Sequence, residues 1–112
     1  MASRFLWLSV NRLGAGAGVW IHNMENNNFE GHAFRLNFKC TNNMAEYEAL
    51  ILGLQMARKI GAKRVSIMGD SELIIKQIKG EFSVNNTTLS QYRETVLDLI
   101  KDLPETDFYC YY

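Results

Sequence analysis

Lys39-Cys40-Thr41-Asn42-Asn43-Met44-Ala45-Glu46-Tyr47-Glu48-Ala49-Leu50 is a polar turn running straight into an apolar-periodic segment. At about 100° per residue, with Glu46 as the reference direction, Leu50, Gly53 and Ala57 fall within roughly 40° of it, and Ala49, Leu54 and Ile60 within roughly 80°. Glu48, Gln55 and Lys59 take the opposite side. The spacing predicts a helix from Asn43 to Ile60, stopped by a left-handed Gly61. It places Glu46 inside the apolar stripe and Glu48 on the solvated face. A carboxylate in an apolar stripe carries a desolvation cost on the order of several kcal/mol unless it is paired or binds a metal. A first-turn glutamate can also be stabilised by the helix N-terminus or a capping contact. What stands beside Glu46 decides between these readings.

The rest of the chain limits the answer. At 112 residues it is read as one domain, 1–112, with a single core. Apolar residues make up 47% and charged residues 21%, a globular balance. Lys+Arg and Asp+Glu stand at 12 each, so composition gives no strongly basic footprint for phosphate binding. Cys40 and Cys110 are too few and too unpatterned for a disulfide scaffold or a zinc site, and read as thiols of a reducing compartment. No apolar run reaches the length of a membrane span. The start, Met1-Ala2-Ser3-Arg4, lacks a secretory apolar segment. The expectation is an intracellular chain with no membrane partner.

Outward from the helix, Phe5 to Val10 reads as a buried strand. Gly14, Gly16 and Gly18 alternate with Ala15 and Ala17, which invites a phosphate-cradling reading. The segment continues into Val19-Trp20-Ile21, a second strand and not a helix, so a hairpin is expected there. Asn23 to Gly31 is a turn, and His32 to Phe38 alternates as a third strand. Beyond the helix, Arg64 to Gly69 is a fourth strand ending at Asp70-Ser71. Leu73 to Ile78 is a short helix closed by Gly80. A third helix opens at Thr87 or Thr88 and stops before Pro104, and Asp107 to Tyr112 is a fifth strand. The order β-β-β-α-β-α-α-β predicts an α/β fold with a mixed five-stranded sheet, three strands antiparallel and two parallel, with helices packed on it. The functional crevice of such a sheet lies at the carboxyl ends of its parallel strands. That puts Asp70 in line to meet Glu46, although Asp70 could equally cap the short helix that follows.

Three segments in unbroken order carry a resemblance: Gly14-Ala15-Gly16-Ala17-Gly18-Val19, Thr41 to Leu50, and Gly69-Asp70-Ser71-Glu72-Leu73-Ile74-Ile75-Lys76-Gln77-Ile78-Lys79-Gly80. Together they resemble the ribonuclease H type-1 fold, most closely the reverse transcriptase-like domains of plant retroelements. The resemblance implies a metal-dependent endonuclease that hydrolyses the RNA strand of RNA–DNA hybrids. In that family four carboxylates hold two Mg²⁺ ions, hard cations that want oxygen ligands. By motif match Glu46 and Asp70 are catalytic and metal-binding residues. Asn42, Asn43, Ser71 and Gln77 fall at positions that contact nucleic acid, where 2′-hydroxyl groups mark RNA.

Two departures bear on activity. Counting back from Gly18 puts the family's first-strand aspartate at about Trp7-Leu8, and no acidic residue precedes Glu25. The family's fourth aspartate lies on a helix after the fifth strand, and the sequence stops at Tyr112, so the domain is expected to be C-terminally truncated. With Glu46 and Asp70 alone the expected activity is impaired. The alternatives are a catalytically dead nucleic-acid-binding module, for which Arg58, Lys59, Lys63 and Arg64 could supply a basic ridge, or an inactive retroelement-derived fragment. Trp20, Tyr47 and Tyr92 are expected to be packing aromatics, and His22 and His32 lack the partners a zinc site needs.

Overall fold

A computed structural model describes residues 5–13, 16–36, 41–69, 72–80, 87–103 and 105–110. The elements are β1 (Phe5–Leu13), β2 (Gly16–Asn23), β3 (Asn28–Arg35), α1 (Asn42–Ile60), β4 (Arg64–Gly69), α2 (Glu72–Ile78), α3 (Thr87–Ile100) and β5 (Glu105–Cys110). The five strands form one sheet in the order β3-β2-β1-β4-β5. β1–β2 and β2–β3 are antiparallel, while β1–β4 and β4–β5 are parallel. The expected element order and sheet type are both present.

The glycine segment forms the expected hairpin with close strand approach, and its strands run further than expected. Gly16, Ala17 and Gly18 belong to β2, paired on one side with Leu13, Arg12 and Asn11 and on the other with Arg35, Phe34 and Ala33. Turn propensity is overridden because these residues lie between two strands, where small residues allow close approach. A Cβ built on Gly16 would stand 2.2 Å from the Phe34 carbonyl oxygen, so a side chain there would collide with backbone. The second turn is likewise shorter than expected: β3 already begins at Asn28, after Asn27 takes a left-handed φ of 56°. The expected extension of β3 to Phe38 lies outside the described residues.

The strand period of two sorts the sheet into two faces. Leu6, Leu8 and Val10 of β1, Val19 and Ile21 of β2 and Val65 and Ile67 of β4 are buried under the helices. α1 lies close on this face. A Cβ on Gly53 would meet Val19 Cγ1 at 3.3 Å and Leu8 Cδ1 at 3.4 Å. Leu50, Leu54 and Ala57 fill the same stripe, and Val96, Leu99 and Leu103 complete the core. The boundaries of α1 are set locally. Thr41 Oγ1 accepts the Met44 N–H at 3.2 Å, and Gly61, at φ 81°, donates its N–H to Ala57 and Arg58. Among the described residues, no helix is long and apolar enough to cross a membrane.

The opposite face is aromatic. Trp7 stacks on Tyr109 with ring centroids 5.7 Å apart, His22 on Phe29 at 3.9 Å, and Arg64 lies over the Phe5 ring at 4.9 Å. Trp20 is 57% exposed here, its indole lying over Gly31 of β3, so it is a surface residue and not the packing aromatic expected. Tyr47 is fully buried and Tyr92 half-buried, as packing aromatics should be.

Candidate active site and its cleft

Glu46 sits one turn into α1, half-buried, with its Oε2 shut off from solvent. It lines a cleft of about 20 Å³ shared with Val10, Leu50, Ile67, Gly69, Ile74, Ile75 and Phe108. Four elements therefore meet the Glu46 turn: β1 and β4 where their parallel pairing ends, the strand β5 and the helix α2. This is the carboxyl-end crevice expected of the fold. The Cα register pairs Val10 with Gly69, so Val10 is the β1 residue beside the end of β4.

In that register the position reached by counting stands away from the Glu46 cleft. Trp7 and Leu8 pair with Ser66 and Ile67, well inside the sheet. Trp7 faces Tyr109 on the aromatic side, and Leu8 is fully buried. The first-strand residue that reaches Glu46 is Val10. The chemical consequence is the same, because neither position carries an oxygen ligand.

Asp70 and Ser71, expected at the end of β4, lie outside the described residues, as does the Asn42 side chain. Gly69, the residue before Asp70, is in the cleft. Asn43, at the start of α1, is half-buried. Gln77 differs from a groove contact in its surroundings. It is 5% exposed, and its Oε1 accepts the hydroxyl proton of Tyr47 at 2.9 Å. Its backbone carbonyl accepts Arg93 Nε–H at 2.6 Å. Burial pushes the Tyr47 hydroxyl up to about 12, and the positive charge of Arg93 offsets part of that rise.

Glu48 is also placed differently from the helical wheel. It is half-buried and accepts the Tyr92 hydroxyl proton at 2.6 Å, because α3 covers the side of α1 that faces away from the sheet. Tyr92 stacks on Tyr47 at 5.6 Å, so α1 is held between sheet and helix. Tyr92 and Arg93 are the residues that sequence reasoning gave no role at the site. Tyr92 is legible in the sequence only as a packing aromatic, and Arg93 carries no signal there. The expected basic ridge is partly neutralised: Arg58 Nη1 stands 3.4 Å from Asp102 Oδ2.

Among the described residues, the donor set around Glu46 does not fit a Mg²⁺ pair. Hard divalent cations take six or more oxygen ligands, and the described cleft lining offers hydrocarbon apart from Glu46. Among the described residues, no group of three or more His, Cys, Asp or Glu side chains comes together. Adding Asp70, the next residue along from Gly69, brings the carboxylates to two.

Comparison with known proteins places this geometry. A family model described as reverse transcriptase-like matches residues 7–110. The ribonuclease HI of Halobacterium salinarum is 37% identical over 62 residues, covering 55% of this chain and 31% of that protein. The chain thus spans less than a third of that relative. Among solved structures, the N-terminal RNase H domain of a Mycobacterium tuberculosis protein superposes with a TM-score of 0.81 at 23% identity, covering 97% of this chain and 83% of the other. LC11 ribonuclease H1, solved in complex with an RNA/DNA hybrid, gives a TM-score of 0.75 at 25% identity, covering 97% and 85%.

Proposed function

We propose, for a chain that belongs to the reverse transcriptase-like family and carries the ribonuclease H fold, that it recognises RNA–DNA hybrid duplexes while its hydrolysis of the RNA strand is impaired. The observation that carries this reading is Val10. It occupies the β1 position beside Gly69 and in the cleft of Glu46, where a metal-dependent nuclease needs a carboxylate. A valine cannot ligate a cation or orient a water. Glu46 puts a carboxylate in the cleft, and even counted together with Asp70, the residue that follows Gly69 in the sequence, it falls short of the ligand number that Mg²⁺ demands.

Recognition has better support than chemistry. The similar LC11 ribonuclease H1 is held on an RNA/DNA hybrid. The polar start of α1, Asn42 and Asn43, and Ser71 before α2 flank the cleft in sequence and are the residues that the family resemblance points to as groove contacts. With a formal net charge of +0 and Arg58 paired to Asp102, the chain has no strong overall attraction for phosphates, so binding is expected to be weak.

The test is a labelled RNA–DNA hybrid titrated with the chain in Mg²⁺ or Mn²⁺, with Asp70→Asn as control. The expected result is measurable binding without metal-dependent cleavage. Cleavage that needs the metal and disappears in Asp70→Asn would overturn the impairment, and absence of binding would overturn recognition.

A further inference from the structure

The seven-residue helix α2 forms one wall of the Glu46 cleft through Ile74 and Ile75. A helix this short has little stability of its own and takes its position from tertiary contacts. Its apolar side, Ile74, Ile75 and Ile78, supplies burial, which is non-directional. Direction comes from Gln77. Its side-chain carbonyl takes the proton of Tyr47, the residue next to Glu46 on α1, and its backbone carbonyl takes a proton from Arg93 of α3. One residue of α2 is therefore tied to both other helices, and the tie to α1 lies one residue from the carboxylate across the cleft. The Tyr47 hydroxyl is inside a fully buried side chain, where an unmet donor is costly, so the tie is well populated.

We propose that Gln77 is a positioning residue of the cleft, holding the α2 wall at the spacing from Glu46 that hybrid recognition needs. It acts through Tyr47 and Arg93 and does not itself touch the nucleic acid. This rests on the hybrid-recognition reading above, and the experiment separates the two.

Tyr47→Phe removes the hydroxyl and keeps the ring packed on Tyr92, leaving one side-chain oxygen of Gln77 without its donor. Tyr47→Phe/Gln77→Leu removes both polar groups, which restores most of the folding cost because neither is then buried without a partner. Amide hydrogen exchange reads the position of α2, and hybrid titration of the folded proteins reads recognition. In both variants the amides of Ile74 to Ile78 are expected to exchange at least about tenfold faster than in the unmodified chain, with β1 and β4 unchanged. Hybrid affinity is expected to fall about fivefold or more, in the double variant as well, although its melting temperature stays near that of the parent. A merely structural role predicts the opposite, with the double variant recovering affinity and α2 protection along with stability. Unchanged α2 exchange, or loosened α2 with unchanged affinity, overturns the proposal. An unmodified chain that binds no hybrid overturns the functional reading instead, and the α2 exchange then decides alone whether Gln77 holds the cleft wall.

Discussion

Val10 and Glu46 line one cleft from opposite layers of the fold, the valine from the last β1 position paired with β4 and the carboxylate from the second turn of α1. Val10 is also in register with Gly69, the last residue of β4. A carboxylate at position 10 would therefore stand with Glu46 and the start of the Asp70 segment. We expect Val10→Asp to be less stable than the parent chain without metal, because it buries a charge and brings like charges together. Added Mn²⁺ should raise its melting temperature by several degrees through binding to the folded state. The parent chain should not respond. A thermal melt with and without Mn²⁺ checks this, and equal responses of both proteins would mean that Val10 is not the missing ligand position.

How much of this was readable in the sequence depended on whether the information was local. The ends of α1 were legible because Thr41 and Gly61 cap it within a few residues of themselves. The place of Glu46 inside the apolar stripe followed from helical period, and its place by the crevice from the order of the elements. Val10 was not legible, since its place is fixed by parallel pairing with a strand more than 50 residues away. Counting back from Gly18 assumes a loop length, whereas here β1 runs straight on to Leu13 before the chain turns back at Gly16. Glu48 was misread for a related reason. A helical wheel has one inside, but α1 packs against the sheet on one side and against Tyr92 of α3 on the other.

Gly53 lies where α1 packs closely on β1 and β2. A Cβ there would meet side-chain methyls at 3.3 to 3.4 Å, which can give by a few tenths of an ångström. Gly53→Ala is expected to be near neutral, since a gain of roughly 1 kcal/mol in helix propensity offsets the tighter contact. Gly53→Leu cannot be absorbed between Leu8, Val10 and Val19 and should cost about 3 kcal/mol. Urea unfolding with unchanged slope and a shifted midpoint would establish both values.

On the aromatic face, Gly31 is required by Trp20. A Cβ at position 31 would stand 2.4 to 2.8 Å from three ring carbons of the indole. Gly31→Ala should therefore push the ring off the sheet into solvent. The expected signature is red-shifted tryptophan emission with increased quenching by iodide, and a stability change within about 1 kcal/mol because Trp20 is already 57% exposed. An unshifted spectrum would mean that the indole does not rest on Gly31 in solution.

The Tyr47 hydroxyl links the packing of the three helices to pH. Burial raises it from 10.0 to about 12, with the charge of Arg93 working in the opposite direction. In the unfolded chain the phenol ionises near its ordinary value, so between those two values the unfolded state releases a proton that the folded state retains. Its contribution to stability is thus fully present below about pH 10 and is lost as pH rises through about 12. Other tyrosines also ionise in this range, which makes the difference between proteins the informative quantity. Tyr47→Phe carries no such proton. The gap in stability between parent and variant should hold constant from neutral pH to about 10 and narrow steadily above it. Urea midpoints followed by circular dichroism from pH 8 to about 11.5 measure that gap. A gap that stays constant across the range would mean that Tyr47 is not held protonated by its burial against Gln77.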